Sequence, residues 1–391
     1  MRIAYVCADP GVPAFGRKGC SVHVQEMLRA MLRAGHTVQM FARRLDGPPP
    51  ADLAAVNVHL LPALPQGGVE QRELGAYEQN GDLARALDAA GPFELIYERH
   101  ALWSFGAMEL AARAGIPSVL EVNAPLIEEQ RQHRALHHLE LAESAAREAF
   151  QQARHIVAVS PPVADYARRL APQHAAIVVE PNGVDVARFQ RVAQSRPPTT
   201  TGVTIGFVGT LKPWHGVPLL LEAFARLAAG FPGVRLLIVG DGPERTALQK
   251  QAADLGIASL TKFTGAVDPA NISALLVRMD LAVAPYPRLA DFYFSPLKVL
   301  EYMAAGRAVV ASRIGVIPEW IEHAHNGWLV APGEVDDLAA ALSLLASDPA
   351  RRDRLGSAAQ ASVSARHDWS SVWERIFRRV QDHALVNSHA G

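Results

Sequence analysis

Residues 203–216, VTIGFVGTLKPWHG, decide how the rest of the chain is read. A short β-rich run ends in a glycine turn, and a helical pattern resumes just past Gly216. A strand that leaves through glycine into a helix is the repeating unit of a parallel sheet covered by helices. The unit recurs downstream at RLLIVGDG (235–242), TKFTG (261–265), DLAVAPY (280–286), RAVVAS (307–312) and GWLVAP (327–332). Upstream the same alternation runs through RIAYVC, TVQMFA, VNVHLL, ELIYER, IPSVLEV and HIVAVS, between residues 2 and 160.

A chain of 391 residues exceeds what a single core of roughly 250–300 residues supports. The Pro-, Ser- and Thr-rich segment 190–202 interrupts the alternation and reads as an interdomain linker. The expected fold class is therefore α/β, with two doubly wound, Rossmann-like parallel-sheet domains at 1–190 and 203–368. Their carboxyl strand ends are expected to face a central cleft, where ligands of such sheets bind. Segment 369–385 carries a helical apolar stripe at Val372, Trp373, Ile376, Phe377 and Val380 that needs a surface to cover.

Charge balance, 38 basic against 39 acidic side chains, speaks against a nucleic-acid partner. Two cysteines exclude a disulfide framework, and Cys7 reads as a core residue. The apolar run after Met1 stops at Asp9-Pro10, too short for a signal or spanning segment, so the expected compartment is the cytoplasm.

Chemistry concentrates at DFYFSPLKVLEYMAAG (291–306). Ser295 suits an N-cap and Pro296 the first helical position, which leaves the amides of Leu297 and Lys298 free to meet an anion. Glu301 lies one turn on, on the Leu297 side of the helix, where a carboxylate can accept both hydroxyls of a ribose. By itself this is also the grammar of an ordinary capped helix. The strand exits GFVGTLKPWHG (206–216), IVGDGPE (238–244) and KFTGAVDP (262–269) add three glycine turns, with Lys212 and His215 in the first. Together they outline a nucleotide pocket.

The ordered set of these motifs, preceded by VEPNGVDVARF (179–189), resembles the retaining glycosyltransferases of family 4, which have the GT-B fold. The resemblance covers nearly the whole chain and is strongest over 179–331. It implies a nucleoside diphosphate sugar held by the C-terminal domain and a hydroxyl acceptor held mainly by the N-terminal one. It also implies no cofactor beyond that co-substrate, no essential metal, and a final helix that returns to the first domain. The implied activity is hexosyl transfer with retention, in polysaccharide, glycolipid or glycoconjugate synthesis. The alternatives are an epimerase or hydrolase on the same fold, or a silent sugar-nucleotide-binding subunit. By resemblance Glu301 binds the ribose, Val267 meets the base, and Leu297 and Lys298 meet the diphosphate through their amides. Gly209 and Ser295 complete the donor seat.

Three positions depart from the family pattern: Tyr293 stands where the first of two paired glutamates is expected, and Thr210 and His215 replace Arg and Lys. Lys212 can supply the displaced charge, with His215 and Lys298, against the leaving diphosphate. Near the sugar, either the Tyr293 phenol or the Asp291 carboxylate is available.

In the first half, DPGVPAFGRKGCSVHVQEM (9–27) follows the first strand. The resemblance makes Lys18 and Gly19 cleft residues, toward acceptor and donor respectively; a plain surface loop reads the segment equally well. YERHALW and LEVNAPLIEEQ put Glu98, Arg99, His100, Glu121, Asn123 and Glu128 at two strand ends. There His100 is a candidate for the acceptor hydroxyl, and Asn123, by resemblance, for the donor sugar. His133 and His137 have zinc-like i, i+4 spacing, but no third ligand is evident and a solvated face is expected. Arg29, Arg33, Arg43 and Arg44 suit either scattered surface charge or peripheral contact with an anionic membrane.

Overall fold

The computed structural model describes residues 1–173, 175–193 and 202–388, without the side chains of 133, 192–193 and 383–388. Most of the linker segment lies outside the described residues. The chain divides into two compact units, Met1–Asn182 with Tyr293–Ser295 and Trp369–Gly391, and Gly183–Phe292 with Pro296–Asp368. The first boundary thus falls at 182/183 rather than 190. Helix Val186–Ala193 packs on helices Leu297–Ala304 and Pro269–Leu276, which draws the segment into the second unit.

The first unit is built on seven parallel strands, β1 (Arg2–Cys7), β2 (Thr37–Ala42), β3 (Asn57–Leu60), β4 (Leu95–Arg99), β5 (Ser118–Val122), β6 (His155–Ala158) and β7 (Ile177–Val179). Their order is β3-β2-β1-β4-β5-β6-β7, with the chain reversing direction across the sheet at β1 and β4. Ile3 pairs with Val38 on one side and Leu95 on the other. Such central strands are buried on both faces, which is why they read as continuous apolar runs. Strand β7 has no such run: three half-buried edge residues carry too little pattern to stand out in sequence. The C-terminal helix Trp369–Ser388 belongs to this unit and packs on helix Gly19–Arg33. Of its stripe, Val372, Trp373, Ile376 and Val380 are buried and Phe377 is half-buried, and Trp369 is buried beside them. Trp373 meets His36 and Tyr97, and Arg375 forms a bidentate pair with Glu180.

The second unit has six parallel strands, β8 (Val203–Val208), β9 (Val234–Val239), β10 (Thr261–Phe263), β11 (Leu281–Ala284), β12 (Ala308–Ser312) and β13 (Trp328–Val330), in the order β10-β9-β8-β11-β12-β13. Again the order reverses at a switch point, between β8 and β11. No helix among the described residues is long and apolar enough to cross a membrane.

Candidate active site

Three glycine turns leave the adjacent strands β8, β9 and β10 and lie against one another. The amide of Gly209 donates to Val239 O at 2.9 Å and that of Gly240 to Gly265 O at 3.1 Å. A Cβ on Gly240 would stand 2.0 Å from Gly209 O, so these turns can stack only because one of them has no side chain. Val267, half-buried, follows the third turn. Next to it Asp268 caps helix Pro269–Leu276 by accepting from the amide of Ala270 at 2.9 Å.

Beside the β8 exit stands helix Leu297–Ala304. Its register is held by Tyr302, whose phenol oxygen accepts from the Val208 amide at 2.7 Å and donates to Val208 O at 3.3 Å. Lys298, one turn earlier, is thereby brought to Gly209. A Cβ on that glycine, whose φ is +150°, would meet Lys298 Nζ at 2.7 Å. The ammonium lies 4.3 Å from the Phe207 ring centroid and 5.4 Å from that of Tyr286, out of contact with solvent and without a hydrogen-bond partner among the described residues. Burial pushes its pKa down to about 7, with Glu301 pulling back upward. Two aromatic faces offset part of the desolvation through cation–π attraction, but they donate no full counter-charge.

Ser295 does not cap this helix. Its hydroxyl accepts from the Asn182 amide at 3.0 Å, its carbonyl accepts from Asn182 Nδ2 at 2.8 Å, and Pro296 occupies the N-cap position. The expected consequence survives the correction: among the described residues no acceptor meets the amides of Leu297 and Lys298. A helix start left open in this way, with its partial positive charge, is a seat for an anion.

Glu301 sits within the field of two cations, Lys298 and Arg188, while burial raises its carboxyl above the usual range. Arg188 was not singled out from sequence. It comes from helix Val186–Ala193, and its guanidinium lies 5.2 Å from the Phe189 ring and donates to Pro269 O. Its only signal was position, three residues after Asp185, whose carboxylate accepts the Arg188 amide at 3.0 Å.

His215 corrects another expectation. Its Nδ1 lies 2.5 Å from Thr210 O, and burial together with Lys298 lowers its pKa to about 3. The ring is therefore neutral at pH 7 and adds no positive charge. With Nδ1–H donated to a carbonyl, Nε2 is left as an acceptor. Lys212 stays at the same turn, its ammonium 5.4 Å from the Trp214 ring centroid. Asp291 is exposed, and no hydrogen bond or ion pair ties it to another described residue.

In the first unit the strand-end residues line a cavity of about 850 Å³. Arg99, His100 and Asn123 all face it, as do Asp9, Glu73 and Glu129. His100 is 4% exposed, neither ring nitrogen has a hydrogen-bond partner among the described residues, and burial with the neighbouring Arg99 charge lowers its pKa to about 4. Glu121 does not face the cavity but pairs with His23 at 2.5 Å, and Glu128 pairs with Arg169 at 2.9 Å. Glu98 is fully buried, and desolvation raises its carboxyl to about 7 against the opposing hydroxyl of Ser104. Lys18 and Gly19 sit at the exposed start of helix Gly19–Arg33 and do not line the cavity.

Tyr293 packs on the first unit's core, and its phenol is raised by burial and by the Glu129 carboxylate beside it. The phenol thus faces a carboxylate of the first unit. Of the basic residues near the N-terminus, Arg29 pairs with Asp52 and Arg44 with Asp46, while Arg43 donates to Ala8 O and Pro62 O. The His133 side chain lies outside the described residues; the amides of His137 and His138 donate to Glu73.

An open helix start, a buried ammonium and a carboxylate one turn on, at the switch point of a parallel sheet, are the arrangement in which α/β proteins of this class seat nucleotides. Residues 17–188 match Glycosyltransferase Family 4 and residues 202–348 match Glycosyl transferases group 1. The chain belongs to this family of glycosyltransferases and has the GT-B fold. It is 35% identical over 203 residues to a glycogen synthase of Mycobacterium tuberculosis, a match covering 51% of this chain and 47% of that protein. The chain therefore spans about half the length of that relative. To a D-inositol 3-phosphate glycosyltransferase of Actinosynnema mirum it is 28% identical over 400 residues, covering 94% and 91% of the two chains. Among solved structures, HepE of Anabaena in complex with UDP matches with a TM-score of 0.75 at 21% identity, over 98% of this chain and 100% of that one.

Proposed function

We propose that the chain transfers a sugar from a nucleoside diphosphate sugar to an acceptor hydroxyl with retention of anomeric configuration. The observation that carries this reading is the open start of helix Leu297–Ala304, with the Lys298 ammonium and the Glu301 carboxylate beside it. Two amides and a cation suit a diphosphate, and the carboxylate suits the ribose diol. That HepE binds UDP and UDP-glucose supports the same class of donor.

In the reaction the bond from the sugar to the distal phosphate oxygen breaks, and a bond from the acceptor oxygen to the same sugar carbon forms. The acceptor's proton passes to the leaving phosphate oxygen, so the enzyme needs no carboxylate base there. This removes the difficulty posed by tyrosine at position 293. Lys298 and Lys212 steady the charge that grows on the leaving group, a term worth several kcal/mol in such sites. His215, neutral with Nε2 free, accepts a hydroxyl hydrogen rather than countering phosphate charge. The first unit's cavity, with His100 on its wall, holds the acceptor; Asn123, which the resemblance gives to the donor sugar, faces this same cavity and is assigned here to the acceptor.

A thermal-shift panel of UDP, GDP, ADP and dTDP sugars tests the donor: a ligand at 100 times its Kd stabilises the fold by about 2.7 kcal/mol. Proton NMR of the product's anomeric signal then reads the stereochemistry. The proposal fails if no nucleoside diphosphate or its sugar raises the melting temperature, or if the anomer is inverted.

A further inference from the structure

The first unit's cavity is chemically one-sided. Its wall carries five arginines against three carboxylates; Arg44 is paired with Asp46 and Arg43 with the carbonyls of Ala8 and Pro62, which leaves Arg72, Arg99 and Arg134. All three carboxylates are engaged or occupied by neighbours: Asp9 accepts from the Gly11 amide at 2.7 Å, Glu73 from the amides of His137 and His138, and Glu129 lies against the Tyr293 phenol. On the same wall, Arg99 Nη1, Asn123 Nδ2 and both ring nitrogens of His100 are buried with no hydrogen-bond partner among the described residues. A buried guanidinium or amide hydrogen left unpaired costs more than it would in water, so the missing partner should be a ligand rich in acceptors. Glu121, whose charge acts most strongly on Arg99, has its Oε1 2.5 Å from His23 Nε2, and among the described residues neither of its oxygens reaches Arg99 in a hydrogen bond or ion pair. A guanidinium matches the two oxygens of a phosphoryl or carboxylate group side by side, and the amide can donate to a third.

We propose that the acceptor carries an oxyanion, phosphoryl or carboxylate, and that Arg99 holds it in this cavity with help from the Asn123 amide and the His100 ring. The inference rests on the chain being a glycosyltransferase whose acceptor enters the first unit. It adds the acceptor's chemical class: a hydroxyl compound that is also an acid, such as a sugar phosphate or a sugar acid.

The test uses the full chain and separates the two layers of the argument. UDP is titrated first by calorimetry; if it does not bind, the functional reading fails regardless of the cavity. With UDP saturating the helix start in the second unit, inorganic phosphate and acetate are then titrated at ionic strength matched with chloride. One saturable site is expected for at least one of them, weakened at least tenfold in Arg99→Gln while UDP affinity holds. A site tighter for phosphate by threefold or more assigns a phosphoryl group, and the reverse a carboxylate. Should Arg99→Gln fail to fold by circular dichroism, Asn123→Ala replaces it, with a loss of at least threefold expected. UDP binding with no saturable site for either anion, or anion binding unchanged in a folded variant, overturns the inference and leaves the donor reading standing.

Discussion

Titrating UDP between pH 7 and pH 9 reads the charge on Lys298. Burial between Phe207 and Tyr286 holds this ammonium down to about 7, against an ordinary value of 10.5. A diphosphate on the amides of Leu297 and Lys298 would supply the counter-charge that the two rings cannot, and so favour the protonated form again. If the bound value returns near the ordinary one, binding takes up a proton wherever the pH exceeds about 7. Affinity should then fall about 50-fold from pH 7 to pH 9, or roughly 2.3 kcal/mol, most of it at about tenfold per unit. Calorimetry at pH 8 in buffers of different ionisation heat should show about 0.9 proton absorbed per UDP. Folding runs the other way. Because the folded value is depressed below the unfolded one, the charged form is disfavoured in the native state, so this group's destabilisation is complete below about 7 and disappears as pH rises toward 10.5. Lys298→Met should flatten both profiles, bind UDP weakly, and raise stability near neutral pH. A Kd for the unaltered protein that is flat from pH 7 to 9, with no proton uptake, would refute the placement of the diphosphate against this ammonium.

Glu301→Ala should weaken UDP binding about 100-fold, the worth of two hydrogen bonds to a charged acceptor, while shifting the melting temperature little; equal losses in calorimetry and in melting would make Glu301 structural. Tyr302→Phe leaves the buried Val208 amide unpaired and should cost about 1–3 kcal/mol in urea unfolding, with weaker UDP binding as the helix loses register. Gly209→Ala places a methyl 2.7 Å from Lys298 Nζ at a φ of +150°; about 1–3 kcal/mol of strain is expected, together with a displaced ammonium and a measurable rise in UDP Kd. Tyr293→Phe should leave UDP affinity within twofold, since the phenol faces Glu129, and a larger loss in calorimetry would place the phenol at the donor instead.

The central strands could be anticipated because parallel strands buried on both faces are apolar throughout, so RIAYVC and VTIGFV declare themselves while the half-buried edge strand IVV does not. Glycine turns at β8, β9 and β10 were equally legible, since close backbone approach leaves few other choices. What stayed hidden was every property set by residues far apart in the chain. Ser295 has the chemistry of an N-cap, yet its hydroxyl meets the amide of Asn182, 113 positions away. Tyr302 looks like one more core aromatic until its phenol is found on Val208, and Arg188 looks like a surface charge until its helix packs beside Glu301. Ionisation is the extreme case. Lysine at 298 and histidine at 215 both read as positive charges, but how much charge each carries depends on the rings and carbonyls that surround it.

That dependence changes how the second unit's site is understood. A site built from three fixed positive charges would attract any anion at any pH near neutrality. Here His215 is neutral, Lys298 titrates near 7, and Glu301 is held above the ordinary carboxylate range. Lys298 and Glu301 are both disfavoured in their charged forms by burial, and each is partly restored by the other. An incoming diphosphate alters this balance most at Lys298, because it brings the charge that burial withheld. On the proposed donor seat an incoming ribose would act at Glu301, because two hydroxyls would replace the water its carboxylate lost. A ligand carrying both groups relieves both costs together, whereas inorganic phosphate relieves only one. Discrimination between a nucleoside diphosphate and a simple phosphate can therefore arise from the two desolvated residues themselves, through paired relief rather than through a larger contact area.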